Sequence, residues 1–282
     1  MTENVIIIPI YNDWKSLNKL LTEINTTLDN SDLYKILIIN DYSTQAININ
    51  NKNLDRIKEI KILSLNRNLG SQKSISVGLN YLKELNKNFY ITIMDGDGED
   101  NPSEIKKMLS MAQMNLDCVV TSHRIDRKEN FLIKFSYKVH LILSFFLTFH
   151  WISFGNFTCF NSKNLTKLDL DDVWYAHSAA VIKKCKIKKI YASRQKRYFE
   201  SSKVNFIKLI EHSLRIISVF FKRIAINSLL LIFIIQMFAV KFSFLFCTMI
   251  LFLNLLVLIT KIKNFKKSSI DLNSFIKEIK TL

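Results

Sequence analysis

Residues 89–105 read FYITIMDGDGEDNPSEI. Phe89–Met94 is a near-continuous run of apolar and β-favouring side chains, as expected of a strand covered on both faces. Asp95-Gly96-Asp97-Gly98-Glu99-Asp100 then places four carboxylates within six residues, and Pro102 opens a helical pattern that runs to Met114. So dense an acidic turn repels itself unless a cation neutralises it. Hard carboxylate oxygens suit Mg²⁺ or Mn²⁺, which in turn can hold a diphosphate. A calcium loop of the EF-hand type is excluded, because its glycine position holds Asp100 and its twelfth position holds Lys106.

Outward from this turn the pattern repeats. Strands are expected at NVIIIPI (4–10), KILIIN (35–40), EIKILSL (59–65) and DCVVTS (117–122), with helices at Ser16–Leu28, Ser71–Leu85 and Pro102–Met114. Apolar strands alternating with helices predict an α/β fold: a mostly parallel sheet with helices on both faces. Ligands of such sheets bind beyond the carboxyl ends of the strands. The scarce Pro and Gly residues gather there: Pro9, Gly70, Gly96, Gly98 and Pro102, in a chain with only 5 Gly and 2 Pro. Tyr11-Asn12-Asp13 follows the first strand and Asn40-Asp41-Tyr42-Ser43 ends the second. An Asp at such a strand end can accept from a base N–H or a ribose hydroxyl.

The second half has a different character. Ile224–Val240 and Phe242–Thr260 are uncharged, mostly apolar runs separated by Lys241. Each is near the roughly 20 residues that a membrane span needs. Lys222 and Arg223 precede the pair, and Lys261, Lys263, Lys266 and Lys267 follow it. The positive-inside bias puts both flanks in the cytoplasm and makes the pair a hairpin. Val5–Ile8 is too short an apolar run for a signal peptide. Of the net charge of +16, residues 181–223 carry +11, from 13 Lys/Arg less two acids. Phe206, Leu209, Ile210, Leu214, Ile217 and Phe221 recur there at helical spacing, which predicts a basic amphipathic helix over 204–223 on an anionic leaflet. No recognition helix or zinc-finger pattern accompanies the charge, so nucleic acid is not the expected partner. Val139–Phe154 is too interrupted to span and reads as an interfacial helix or as core packing. Four scattered Cys exclude a disulfide framework or zinc ribbon, and 49% hydrophobic residues exclude a disordered chain.

Taken together and in this order, VIIIPIYND (5–13), IINDYS (38–43), LNRNLGSQKSISVGL (65–79), MDGDGEDNPSEI (94–105), SHRIDRKENFLIKFSYK (122–138), SFGNF (153–157), RYFESSK (197–203) and the hairpin resemble glycosyltransferase family 2. Within it, the likeness is to the membrane-attached group that includes polyprenyl-phosphate sugar transferases. The resemblance implies a GT-A domain over 1–203, a juxtamembrane helix over 204–223, two transmembrane helices over 224–260 and a basic cytosolic tail over 261–282. It further implies a cytoplasmic catalytic domain on a multi-pass inner-membrane protein. Its partners would be a nucleotide-sugar donor and a lipid-linked acceptor; a homo-oligomer is compatible with this arrangement.

Carried over residue by residue, the resemblance implies that Pro9, Tyr11 and Asp13 line the nucleotide pocket and that Asp41 faces the base. Arg67 and Gly70 would border the donor, Asp95 would contact the ribose or metal, and Asp97 would ligate the Mg²⁺ or Mn²⁺. Asp100 is a candidate base for a hydroxyl acceptor, although it equally suits a helix N-terminus. Arg124 and Arg127 would lie on the acceptor side, with Arg197, Ser202 and Lys203 bordering the site. The chain departs from the family pattern at Asn40 and Asn156 (Asp in many members), Glu99 (frequently Gln) and Glu200 (Gly). The activity implied is a metal-assisted single displacement with inversion. A catalytically silent binding or scaffold protein of the same fold is the alternative.

Overall fold

The structure, a computed structural model, describes residues 3–28, 33–124, 131–193, 195–199, 206–238, 243–264 and 271–282. It divides into two units: one made of Met1–Lys128, Phe154–Ser202 and Ser268–Leu282, the other of Glu129–Ser153 and Lys203–Lys267.

In the first unit the chain runs β1 (Glu3–Ile10), α1 (Trp14–Thr27), β2 (Leu33–Asn40), β3 (Ile57–Leu65), α2 (Ser71–Glu84), β4 (Tyr90–Ile93), α3 (Ile105–Met114) and β5 (Cys118–Arg124). After α4 (Phe131–Thr148), which belongs to the second unit, come β6 (Phe154–Asn161), α5 (Leu170–Tyr175), α6 (His177–Lys184) and β7 (Lys186–Ala192). The second unit also holds α7 (Phe206–Ser218), α8 (Phe221–Met237) and α9 (Ser243–Lys263), and the chain ends in β8 (Ile276–Thr281).

The eight strands form one sheet in the order β7-β5-β6-β4-β1-β2-β3-β8. β4, β1, β2 and β3 are mutually parallel, β5 is parallel to β7, and β6 and β8 run antiparallel to their neighbours. The central strands read as unbroken apolar runs because alternate residues enter two different cores. Ile6, Ile8, Ile36, Ile38 and Ile62 pack with Leu17, Leu20 and Leu21 of α1 and Met108 and Leu109 of α3. Val5, Ile7, Leu37, Ile39 and Ile91 face the other way, onto Ile75, Val77 and Leu79 of α2 and Val173 and Val181 of α5 and α6.

The C-terminal segment departs from the sequence reading. Part of the expected tail, Ile276–Thr281, is an edge strand antiparallel to β3, and Leu272 and Phe275 just before it are buried in the second core. Lys277, Glu278 and Lys280 on β8 disguise it as a tail, yet such charge is how exposed sheet edges are kept from pairing further.

The second unit is helical. Its α9 has 21 residues, about 31 Å at 1.5 Å per residue, and is the one described helix long and apolar enough to cross a membrane. α8 has 17 residues and falls short by itself; joined with α7 it qualifies only across an 86° bend. α8 and α9 are linked by a hydrogen bond from Asn254 Nδ2 to Ser228 Oγ (2.8 Å), and their exposed side chains include Leu229, Phe233, Phe244 and Phe252. The turn expected between them, around Lys241, lies outside the described residues. The Val139–Phe154 stretch is divided between the units, ending α4 and starting β6.

Candidate active site at the carboxyl ends of the parallel strands

The acidic turn is closed from within. Asp95 N–H donates to Asp100 Oδ2 (3.0 Å) and Glu99 N–H to Asp97 Oδ1 (3.0 Å). Gly96 is pressed against β1: a Cβ there would lie 2.9 Å from Ile10 Cδ1 and 3.2 Å from Ile8 Cγ2, so a side chain would have to displace these neighbours. Gly98 has φ +84°, a conformation that favours glycine, and a Cβ would run into the Tyr198 ring.

Residues 195–199 lie across this turn as a strap. Gln195 N–H donates to Glu99 C=O (3.0 Å) and Tyr198 N–H to Asp97 C=O (3.2 Å). Arg197 places a guanidinium nitrogen 2.8 Å from Asp97 Oδ2 and its Nε 3.4 Å from Glu99 Oε1. Tyr198 Oη donates to Glu23 Oε2 of α1 (2.5 Å). Burial pushes the Tyr198 phenol well above its ordinary range, and Glu23 raises it further. Arg197, expected to border the site on its acceptor and phosphate side, thus stands on Asp97, the carboxylate expected to ligate the metal, and on Glu99.

Asp95 is held by a different set. Asn156 Nδ2 of β6 donates to Asp95 Oδ1 (3.0 Å), and Asn156 Oδ1 accepts from Gln72 Nε2 of α2 (2.9 Å). Neither contact has a signature in the sequence, since the partners lie 61 and 84 residues apart.

The other expected site residues take varied places. Asp41 is 4% exposed, and both its oxygens accept backbone N–H groups, from Leu69 (2.7 Å) and Gly70 (2.8 Å). Burial raises its carboxyl above the usual value despite those donors. Its carboxylate is thereby tied to the β3–α2 loop. Gly70, at φ +86°, is needed for that loop's course. Asp13 caps α1, accepting from Ser16 N–H (3.2 Å). Pro9 is buried in β1, whereas Tyr11 is half exposed just beyond it. Arg67 places its guanidinium over the Phe275 ring, 4.8 Å from its centroid. Arg124 ends β5, and Arg127, Ser202 and Lys203 lie outside the described residues.

Among the described residues no three His, Cys, Asp or Glu side chains form a ready-made metal cage. That is compatible with Mg²⁺-type chemistry, in which one or two carboxylates share the ion with substrate phosphates. Asp95 and Asp97 supply oxygens of the right kind, and Arg197 shows that a cation is already stabilised on Asp97.

A mostly parallel sheet, covered on both faces and carrying an acidic turn at the end of a central strand, has the GT-A architecture of nucleotide-diphospho-sugar transferases. Residues 5–175 match the family profile Glycosyl transferase family 2, and the chain belongs to that family. An undecaprenyl-phosphate 4-deoxy-4-formamido-L-arabinose transferase of Aeromonas hydrophila is 27% identical over 137 residues, which cover 48% of this chain and 40% of that protein. An uncharacterized glycosyltransferase of Synechocystis sp. is 30% identical over 142 residues, covering 48% and 42%. The match thus spans less than half the length of these relatives. Among solved structures, mannosyl-3-phosphoglycerate synthase from Rubrobacter xylanophilus has a TM-score of 0.53 at 11% identity, covering 80% of this chain and 75% of that one. Glucosyl-3-phosphoglycerate synthase from Mycobacterium tuberculosis, solved with Mn²⁺, UDP-glucose and phosphoglyceric acid, has a TM-score of 0.51 at 11% identity, covering 79% and 80%. At that identity the likeness is one of fold.

Proposed function

We propose that this chain is an inverting glycosyltransferase that moves a sugar from a nucleoside-diphosphate donor to a lipid-linked acceptor in cell-envelope glycan synthesis. The observation that carries the reading is the acidic turn after β4, with Asp97 already paired to a cationic group. A bound Mg²⁺ or Mn²⁺ supplies Lewis acidity against the charge that develops on a departing nucleoside diphosphate. Asp97 and Asp95 are the residues that would hold it. The Arg197 guanidinium, on a long side chain, can turn from Asp97 to the diphosphate oxygens, for which its planar donors are well matched.

Polyprenyl phosphate is the acceptor this geometry favours over a sugar hydroxyl. A hydroxyl needs a general base, but Asp100 Oδ2 is engaged by the backbone of its own turn. A phosphate monoester is already anionic and needs none. The undecaprenyl-phosphate sugar transferases among its relatives support the same choice. α9 spans the membrane with α8 packed beside it, the amphipathic α7 lies on an anionic inner leaflet, and the catalytic unit is cytoplasmic. Arg124, Arg127, Ser202 and Lys203 serve the acceptor.

One observation favours a second reading: the ion pair of Arg197 with Asp97 and Glu99 would also neutralise the turn in a silent scaffold protein. Transfer assays separate the two. Full-length protein in nanodiscs is incubated with labelled nucleotide sugars, Mn²⁺ and polyprenyl phosphate, and the lipid product is weighed by mass spectrometry. A sugar-lipid product that Asp97→Ala abolishes supports the enzyme. Equal product from both proteins refutes the metal role, and absence of nucleotide-sugar binding by wild type supports the scaffold.

A further inference from the structure

We propose that Gln72 and Asn156 are positioning residues, a one-way amide relay that keeps a hydrogen-bond donor on Asp95. The inference rests on the reading of Asp95 as a donor-site carboxylate.

The direction of the relay follows from its origin. His177 begins α6, and its backbone N–H donates to Gln72 Oε1 (2.7 Å). A backbone N–H can only donate, so Gln72 must present its oxygen there and its NH₂ to the other side. That NH₂ meets Asn156 Oδ1 at 2.9 Å, which leaves the NH₂ of Asn156 for Asp95 Oδ1 at 3.0 Å. Side-chain amides are usually ambiguous in orientation. Here one backbone group sets both.

His177 grips Asn156 by a second route. Thr158 Oγ1 donates to the Asn156 carbonyl (3.2 Å), so it must accept from His177 Nε2–H (2.9 Å). The His177 ring is 0% exposed, and burial lowers its pKa to about 4, so it is neutral with its proton on Nε2. Gln72 is only 7% exposed and Thr158 is fully buried. A network whose inner members are buried and in which each contact has one permitted direction is rigid.

Gln72→Glu is a near-isosteric substitution that reverses the relay. The introduced carboxylate still accepts from His177 N–H, but it has no proton to give Asn156. Asn156 then turns its NH₂ toward position 72 and its oxygen to Asp95. Protonating the introduced carboxylate restores a donor and the original direction. The titratable groups at the relay's contacts are His177, neutral throughout the range used, and Asp95 itself; Lys73, the neighbour of Gln72, lies over the Trp174 ring.

The experiment measures affinity for UDP with Mn²⁺ by calorimetry on full-length protein in nanodiscs from pH 5.5 to 8, with circular dichroism to confirm folding. Each variant is expressed as a ratio to wild type at the same pH. Gln72→Glu is expected to bind about tenfold more weakly at pH 8 and to recover most of that loss at pH 5.5. Asn156→Ala, which removes the donor outright, is expected to show a similar deficit that does not change with pH. Gln72→Glu binding like wild type at every pH overturns the relay, and so does a pH-independent deficit in both variants, which would mark mere packing. Failure of wild type to bind UDP with Mn²⁺ is a different result: it refutes the donor-site reading and the relay with it.

Discussion

Two acidic turns flank β1 in the same sheet, and they use their carboxylates in opposite ways. At the end of β2, Asp41 is buried and spends both oxygens on backbone N–H groups of the next loop. At the end of β4, Asp97 gives one oxygen to its own turn and the other to the side chain of Arg197. Backbone donors cannot leave without unmaking the loop, whereas a guanidinium can rotate away by its own torsions. The first carboxylate is therefore architecture, and the second is exchangeable and available to a ligand. In sequence the two look alike, each an Asp at the carboxyl end of a parallel strand.

Substitution should separate them. Asp97→Asn is expected to weaken UDP–Mn²⁺ binding by about a hundredfold, on the order of 3 kcal/mol, while leaving the thermal midpoint nearly unchanged. Asp41→Ala is expected to do the reverse. It leaves two N–H groups without their charged acceptor and should cost about 3 kcal/mol of stability in urea unfolding. A destabilised Asp97→Asn, or an Asp41→Ala protein of wild-type stability, would break the contrast.

Acid should act on the supporting structure behind Asp95. His177 titrates near 6.5 when unfolded but at about 4 in the fold, so between those values the unfolded chain binds more protons. Its contribution is complete above pH 6.5 and is lost as pH falls toward 4. His177→Phe keeps the backbone N–H to Gln72 and should lose less stability over that window, by about 2 kcal/mol, in urea titrations at stepped pH. The smallest effect sharpens the Asp41 side of the comparison. Tyr42 sits at φ +63° with its side chain 49% exposed, a strained conformation for a bulky residue. Tyr42→Gly should raise stability by about 1 kcal/mol or less, because the relieved strain is partly offset by unfolded-chain entropy.

The central strands are legible in the sequence because burial on both faces demands apolar residues at every position, as in IIIPI and ILII. The acidic turn is legible because four charges in six residues need a reason. β6, β7 and β8 do not read as strands: β6 carries Gly155 and Asn156, and the edges β7 and β8 are rich in Lys. Asp13 caps a helix instead of only lining a pocket, and the Asp-x-x-Ser spacing ahead of an apolar periodicity is the signal that could have shown it. Arg197 on Asp97 and Gln72 on Asn156 are contacts between elements far apart in the chain, and no local pattern encodes them.

The exchange of cations at Asp97 is tested most directly by titrating UDP into the full-length protein with and without Mn²⁺. The account predicts measurable binding only when Mn²⁺ is present, and its loss in Asp97→Asn. UDP binding of equal strength in metal-free buffer, or undiminished in Asp97→Asn, would contradict it.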